Sequence, residues 1–73
     1  MAMAVETNCI GQIGEMAGIV WETLSESGPL SVAKLVKETE GPRDLVMQAV
    51  GWLAREDKIV IEEDARSRIV SLA

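Results

Sequence analysis

Apolar positions return with a helical period in three successive stretches and then give way to β-branched runs. In the first stretch Ile10, Ile13, Ala17, Val20 and Leu24 recur at spacings of three and four, which predicts one face of a helix over about residues 9–27. Trp21 and Gly14 fall beside that face, while Gln12, Glu15, Glu22 and Glu26 oppose it. Thr7 or Asn8 offers an N-cap oxygen, and Gly28-Pro29 supplies a left-handed-tolerant residue followed by a breaker. Ile19, flanked by Met16, lies among the glutamates and is the one apolar residue this arrangement leaves unburied.

Ser31 is a good N-cap for a second helix, and Leu30 before it is placed to pack on Leu35. Val32, Leu35 and Val36 face inward there, with Lys34, Lys37 and Glu38 outward, until Glu40-Gly41-Pro42 stops the helix near Thr39. Pro42 suits the first position of a third helix, which the pattern carries to about Glu56. Its buried side is Leu45, Val46, Ala49, Val50 and Leu53; Asp44, Gln48, Gly51 and Arg55 oppose it, with Met47 and Trp52 at the two borders. Asp57-Lys58 turns the chain into the strand Ile59, Val60 and Ile61. Residues 62–67 are polar and form the predicted turn, and residues 69–72 return, giving a hairpin over about 58–72. The whole reads as one α+β domain over 1–73, with no repeat or linker.

Three glycines, Gly11, Gly14 and Gly18, interrupt the first helix, and each costs about 1 kcal/mol relative to alanine in a helix interior. The expectation is a close approach of the second or third helix. The sharper alternative is a small-residue seam between two copies of the first helix.

Ser31, Leu35, Gly41, Val50, Leu53 and Ile59, followed by the hairpin, resemble the winged helix-turn-helix superfamily. With the first helix in front, nearly the full length is similar to the small stand-alone winged-helix proteins of bacteria and archaea. Asp57-Lys58 stands where that pattern commonly has a glycine. The resemblance implies a winged helix-turn-helix of order α-β-α-α-β-β, in which residues 29–31 join the wing as a third strand. It makes the third helix the recognition helix and residues 64–67 the wing tip.

Charge bears on what such a fold would hold. The 73 residues carry a net charge of −5, yet residues 1–33 contain four glutamates and no Lys or Arg, so all seven basic residues fall in 34–73, beside eight acidic ones. DNA affinity rests largely on cations meeting phosphates. This asymmetry favours double-stranded DNA as a partner of the helix-turn-helix and wing. Gln48 and Arg55 have the side chains that pair bidentately with adenine and guanine, and Arg43, Arg66 and Arg68 are the candidates for phosphates. Asp44 and the run Glu62-Glu63-Asp64 work against them, and Lys34 and Lys37 read as ordinary solvated surface. The alternative is a protein-interaction or homodimerisation module that does not bind DNA, meeting its partner or a second copy through Met16 and Ile19 on the acidic first helix.

Catalysis has little to stand on in a chain with no histidine, no tyrosine and a single cysteine. Cys9 has no cation near it in sequence and Glu6 opposes a thiolate, so an inert thiol is expected. The acidic run lacks metal-ligand spacing. No enzyme activity, cofactor, metal or small-molecule substrate is expected. No apolar run approaches the roughly 20 residues of a membrane span. Residues 1–5 lack a basic start and are followed by Glu6, so the reading is a cytoplasmic protein.

Overall fold

The computed structural model describes residues 10–73. Cys9 and the N-cap candidates Thr7 and Asn8 lie outside the described residues. Helix α1 spans Ile10–Ser27, strand β1 Leu30–Ser31, helix α2 Val32–Thr39 and helix α3 Arg43–Arg55. Strands β2, Ile59–Glu63, and β3, Arg68–Leu72, form the wing. The sheet is antiparallel with order β1-β3-β2, so the expected third strand is present: Leu30 pairs with Val70 and Ser31 with Ile69.

Each junction has a local cause. Gly28 adopts φ 79°, and its N–H donates to the Leu24 carbonyl at 2.8 Å, closing α1. Ser31 is extended, and its Oγ accepts the Lys34 N–H at 3.1 Å, which caps α2. At the other end Glu40 takes a left-handed φ of 58°. Gly41 follows it, and the terminal methyl of Met16 packs into the space where a β-carbon would stand. Pro42 is the N-cap of α3 rather than its first helical residue, with ψ 138°, and its carbonyl accepts the Val46 N–H at 3.0 Å. The extended ψ redirects the chain between the two helices.

The end of α3 explains how the fold manages without the common glycine. Asp57 stands at φ 61°, its N–H donates to Ala54 O at 3.0 Å, and Lys58 N–H reaches back to Leu53 O at 2.9 Å. This double closure is a Schellman motif with aspartate in the left-handed position. Aspartate tolerates that region better than most side chains, because its short polar group bonds locally.

The core joins Met16, Ala17, Val20 and Leu24 of α1 to Leu35 of α2, to Val46, Ala49, Val50 and Leu53 of α3, and to Ile59 and Val70 of the sheet. Packing of α1 on α3 is the most extensive contact between elements. Three expectations need correction. Met16 is buried, because the α2–α3 turn at Gly41 closes over it, so of the pair Met16 and Ile19 only Ile19 reaches solvent. Ile10 and Trp21 are exposed although the periodicity put them on or beside the buried face. No neighbouring atom lies within 4 Å of where a β-carbon would stand at Gly11, Gly14 or Gly18, so neither α2 nor α3 makes the close approach expected there.

The wing is also longer than its apolar residues suggest. Glu62 and Glu63 continue β2, pairing with Ile69 and Arg68, and only residues 64–67 form the turn. Backbone pairing sets a strand's length, and exposed strand positions accept charge.

Candidate nucleic-acid interface

Arg43, Arg66 and Arg68 border one cleft of about 390 Å³, between the start of α2, the first turn of α3 and the tip of the wing. Arg43 is the first residue of α3, Arg68 the first of β3, and Arg66 sits in the turn between the strands. Ser31 and Met47 line the floor. The N-terminal turn of α2 opens here and brings the positive end of its dipole.

Two acids share the cleft, and both have local tasks. Asp64 Oδ1 accepts the N–H groups of Arg66 at 2.9 Å and Ser67 at 3.0 Å, while Asp64 N–H donates to Ser67 O at 2.9 Å. Those backbone donors hold the Asp64 carboxyl below its ordinary value of 3.8, since they favour the charged form. The aspartate thus builds the tight turn that presents Arg66. Glu63, the cross-strand partner of Arg68, accepts its Nε–H at 3.3 Å. Both side chains are exposed, so this pair adds little stability, but it aligns the guanidinium along the wing.

Gln48 and Arg55 lie elsewhere. They occupy the solvent face of α3 with Asp44 and Gly51, outside the cleft, and all four are exposed. Arg55 is twelve residues beyond Arg43, about 18 Å along the helix, so it stands at the end remote from the wing tip. Asp44, in the first turn, accepts the Leu45 N–H at 2.9 Å, where the helix dipole favours an anion. Lys34 and Lys37 are exposed on α2 and do not border the cleft. The arrangement therefore brings together three of the five expected residues and adds Ser31 and Met47. Met47 was legible as the residue one turn beyond Arg43; the part played by Ser31 depends on β1 pairing with the wing.

Among the described residues no group of three or more His, Cys, Asp or Glu is placed to hold a metal ion. No helix there is long and apolar enough to cross a membrane.

Two helices joined by a tight turn, with a hairpin at the flank and a short strand tying them together, define a winged helix-turn-helix protein. The chain belongs to the family described as Winged helix-turn-helix domain (DUF2582), which matches residues 6–72. It is 34% identical over 64 residues to uncharacterized protein MJ1608 of Methanocaldococcus jannaschii, covering 85% of this chain and 91% of that one. The solution structure of BT2368 from Bacteroides thetaiotaomicron is similar with a TM-score of 0.75 and 35% identity, over 82% of this chain and 73% of that one. Two more distant structures share the fold. One is Bordetella bronchiseptica BpsR, whose DNA binding is regulated by 6-hydroxynicotinic acid, at TM-score 0.75 and 21% identity, over 80% of this chain and 46% of that one. The other is the Zα domain of Carassius auratus PKZ in complex with Z-DNA, at TM-score 0.74 and 14% identity, over 85% of this chain and 98% of that one.

Proposed function

We propose that the chain is a small DNA-associated regulator that grips duplex phosphates with Arg43, Arg66 and Arg68 and offers Gln48 and Arg55 to base edges. The observation that carries this reading is the convergence of the three arginines and the α2 N-terminus on one cleft. The fold supports it, since BpsR and the PKZ Zα domain share it and bind DNA. The overall charge of −5 restricts the contact to this local patch and predicts modest affinity.

Anisotropy titration of a random-sequence duplex at rising salt tests it. Three phosphate contacts predict that log K falls against log salt with a slope of about −3. Absence of binding at about 50 mM salt overturns the reading, because phosphate contacts contribute most at low salt. Substituting Gln48 or Arg55 with alanine should flatten sequence preference, whereas loss of Arg43, Arg66 or Arg68 should weaken all sequences alike.

A second reading, self-association through the outer face of α1, has one observation in its favour: Ile19 is 44% exposed. Glu15, Glu22 and Glu26 on the same helix oppose it by repulsion between copies. Light scattering of Ile19→Glu decides the matter, since a dimer whose mass is unchanged does not use that face.

A further inference from the structure

The C-terminal end of α3, together with α1 and the base of the hairpin, borders a second, larger concavity of about 710 Å³. Its floor is Gly14 and Gly18, one turn apart on α1, and its walls include Trp21 and Trp52. Trp21 is 43% exposed, and among the described residues no atom from another element lies within 4 Å of the space where side chains at the two glycines would begin. Two interior glycines weaken α1 by about 1 kcal/mol each, and among the described residues no contact uses the room they leave. The groove is large enough to take the apolar side chains from about two turns of another helix.

Its rim defines what enters. Glu22, Glu56 and Asp57 stand on it, and Lys58, the one cation there, has its Nζ 3.4 Å from the Glu56 carboxylate. The C-terminal pole of α3, which is negative, opens on the same side. A second copy of this groove would set acid against acid. Residues 1–9 carry Glu6 and no Lys or Arg, so they do not match it either.

We propose that this groove docks a basic amphipathic helix of a partner protein. Its apolar residues, spaced one turn apart, lie over Gly14 and Gly18 between the two indoles, and its Lys or Arg side chains meet Glu22, Glu56 and Asp57. This is helix-in-groove recognition, with cation–π contact to the tryptophans as a further attraction. The groove shares no lining residue with the arginine cleft, so occupying one leaves the other open.

The probe is a synthetic helical peptide of about 18 residues with leucine at every third or fourth position and lysine elsewhere. The chain has two tryptophans, so two indole N–H signals report the groove by NMR. Both should shift saturably on titration. Gly18→Leu keeps the charge, fills the floor and favours the helix, so it should raise the melting temperature while weakening the peptide at least tenfold. Glu22→Gln with Glu56→Gln should weaken it severalfold and flatten its salt dependence. Unmoved indole signals overturn the proposal, as does equal binding by Gly18→Leu or by a peptide with glutamate in place of lysine. A concentration-dependent dimer that Gly18→Leu dissolves assigns the groove to a second copy and equally overturns it.

Discussion

The two concavities beside α3 are walled by the same thirteen-residue helix and differ in nearly every physical respect. The cleft toward the wing lies at the N-terminal end of α3, where the dipole is positive, and gathers Arg43, Arg66 and Arg68. The groove toward α1 lies at the C-terminal end, where the dipole is negative, and gathers two tryptophans beneath Glu22, Glu56 and Asp57. A chain of net charge −5 thus presents one locally basic site because the wing brings Arg66 and Arg68 beside Arg43, while the acids of α1 and of the turn after α3 gather elsewhere. The lesson is that total charge is a poor guide to what a small domain binds. On α3 itself Asp44 and Arg55 offset the dipole at the two ends, so the contrast between the surfaces comes from the residues that the wing, α1 and the following turn bring to each.

The most severe way to break this contrast is to remove the packing that holds both surfaces. Leu35 is fully buried, and Leu35→Ala should cost about 2–5 kcal/mol, read as a lowered urea midpoint. In a domain of this size that is a large part of the total, so duplex binding and the groove should disappear together. If one survived, the two surfaces would not depend on the common core.

Replacing Arg43, Arg66 and Arg68 together with alanine separates the surfaces. Duplex affinity at low salt should fall at least tenfold, and the salt slope should lose about one unit per arginine. The tryptophan indole signals should stay where they are. Movement of those signals would show that the cleft and the groove are coupled.

A smaller and opposite effect sharpens the account of the glycine floor. Gly14→Ala and Gly18→Ala should each stabilise the fold by about 1 kcal/mol, because nothing lies in the way of the added methyl. The corresponding rise in melting temperature is about 4–8 °C per substitution for a domain of this length. Destabilisation instead would mean that the protein already packs something against that face.

The smallest effect belongs to the wing turn. Its two backbone donors lower the Asp64 carboxyl below 3.8, so the ionised form is favoured in the folded turn. That contribution is present in full above the unfolded value and is lost as pH falls through the lowered folded value. Protection of the Arg66 and Ser67 amides, taken relative to their random-coil exchange rates, should therefore fall in acid below about pH 3.8 and hold above it. Asp64→Ala should show low protection at every pH, with the core unaffected.

Much of this fold was legible from spacing alone. The helix-period stripes located α1, α2 and α3 to within a residue or two, and Ser31 and Gly28 marked their boundaries as expected. Periodicity failed where coverage depends on a neighbour's path. It names a stripe on α1 but not how much of it α3 and the sheet will cover, so Ile10 and Trp21 fell outside the core and Met16 fell within it. The glycines failed for a related reason: their room is visible only once it is known that no helix of the protein crosses there. In the site, residue type alone pointed to the arginines. That Arg43 borders one cleft with Arg66 and Arg68 follows from the path of the hairpin, which no local pattern encodes, whereas helical spacing already set Gln48 and Arg55 on the solvent face of α3.

Ser31 holds two posts at once: it pairs with Ile69 as the last residue of β1, and its hydroxyl closes the first turn of α2. The hairpin is therefore a lever whose fulcrum is two residues long. Any displacement of β3 that carries Ser31 with it also moves the hydroxyl that caps α2, so the arm and the helix-turn-helix share one hinge residue.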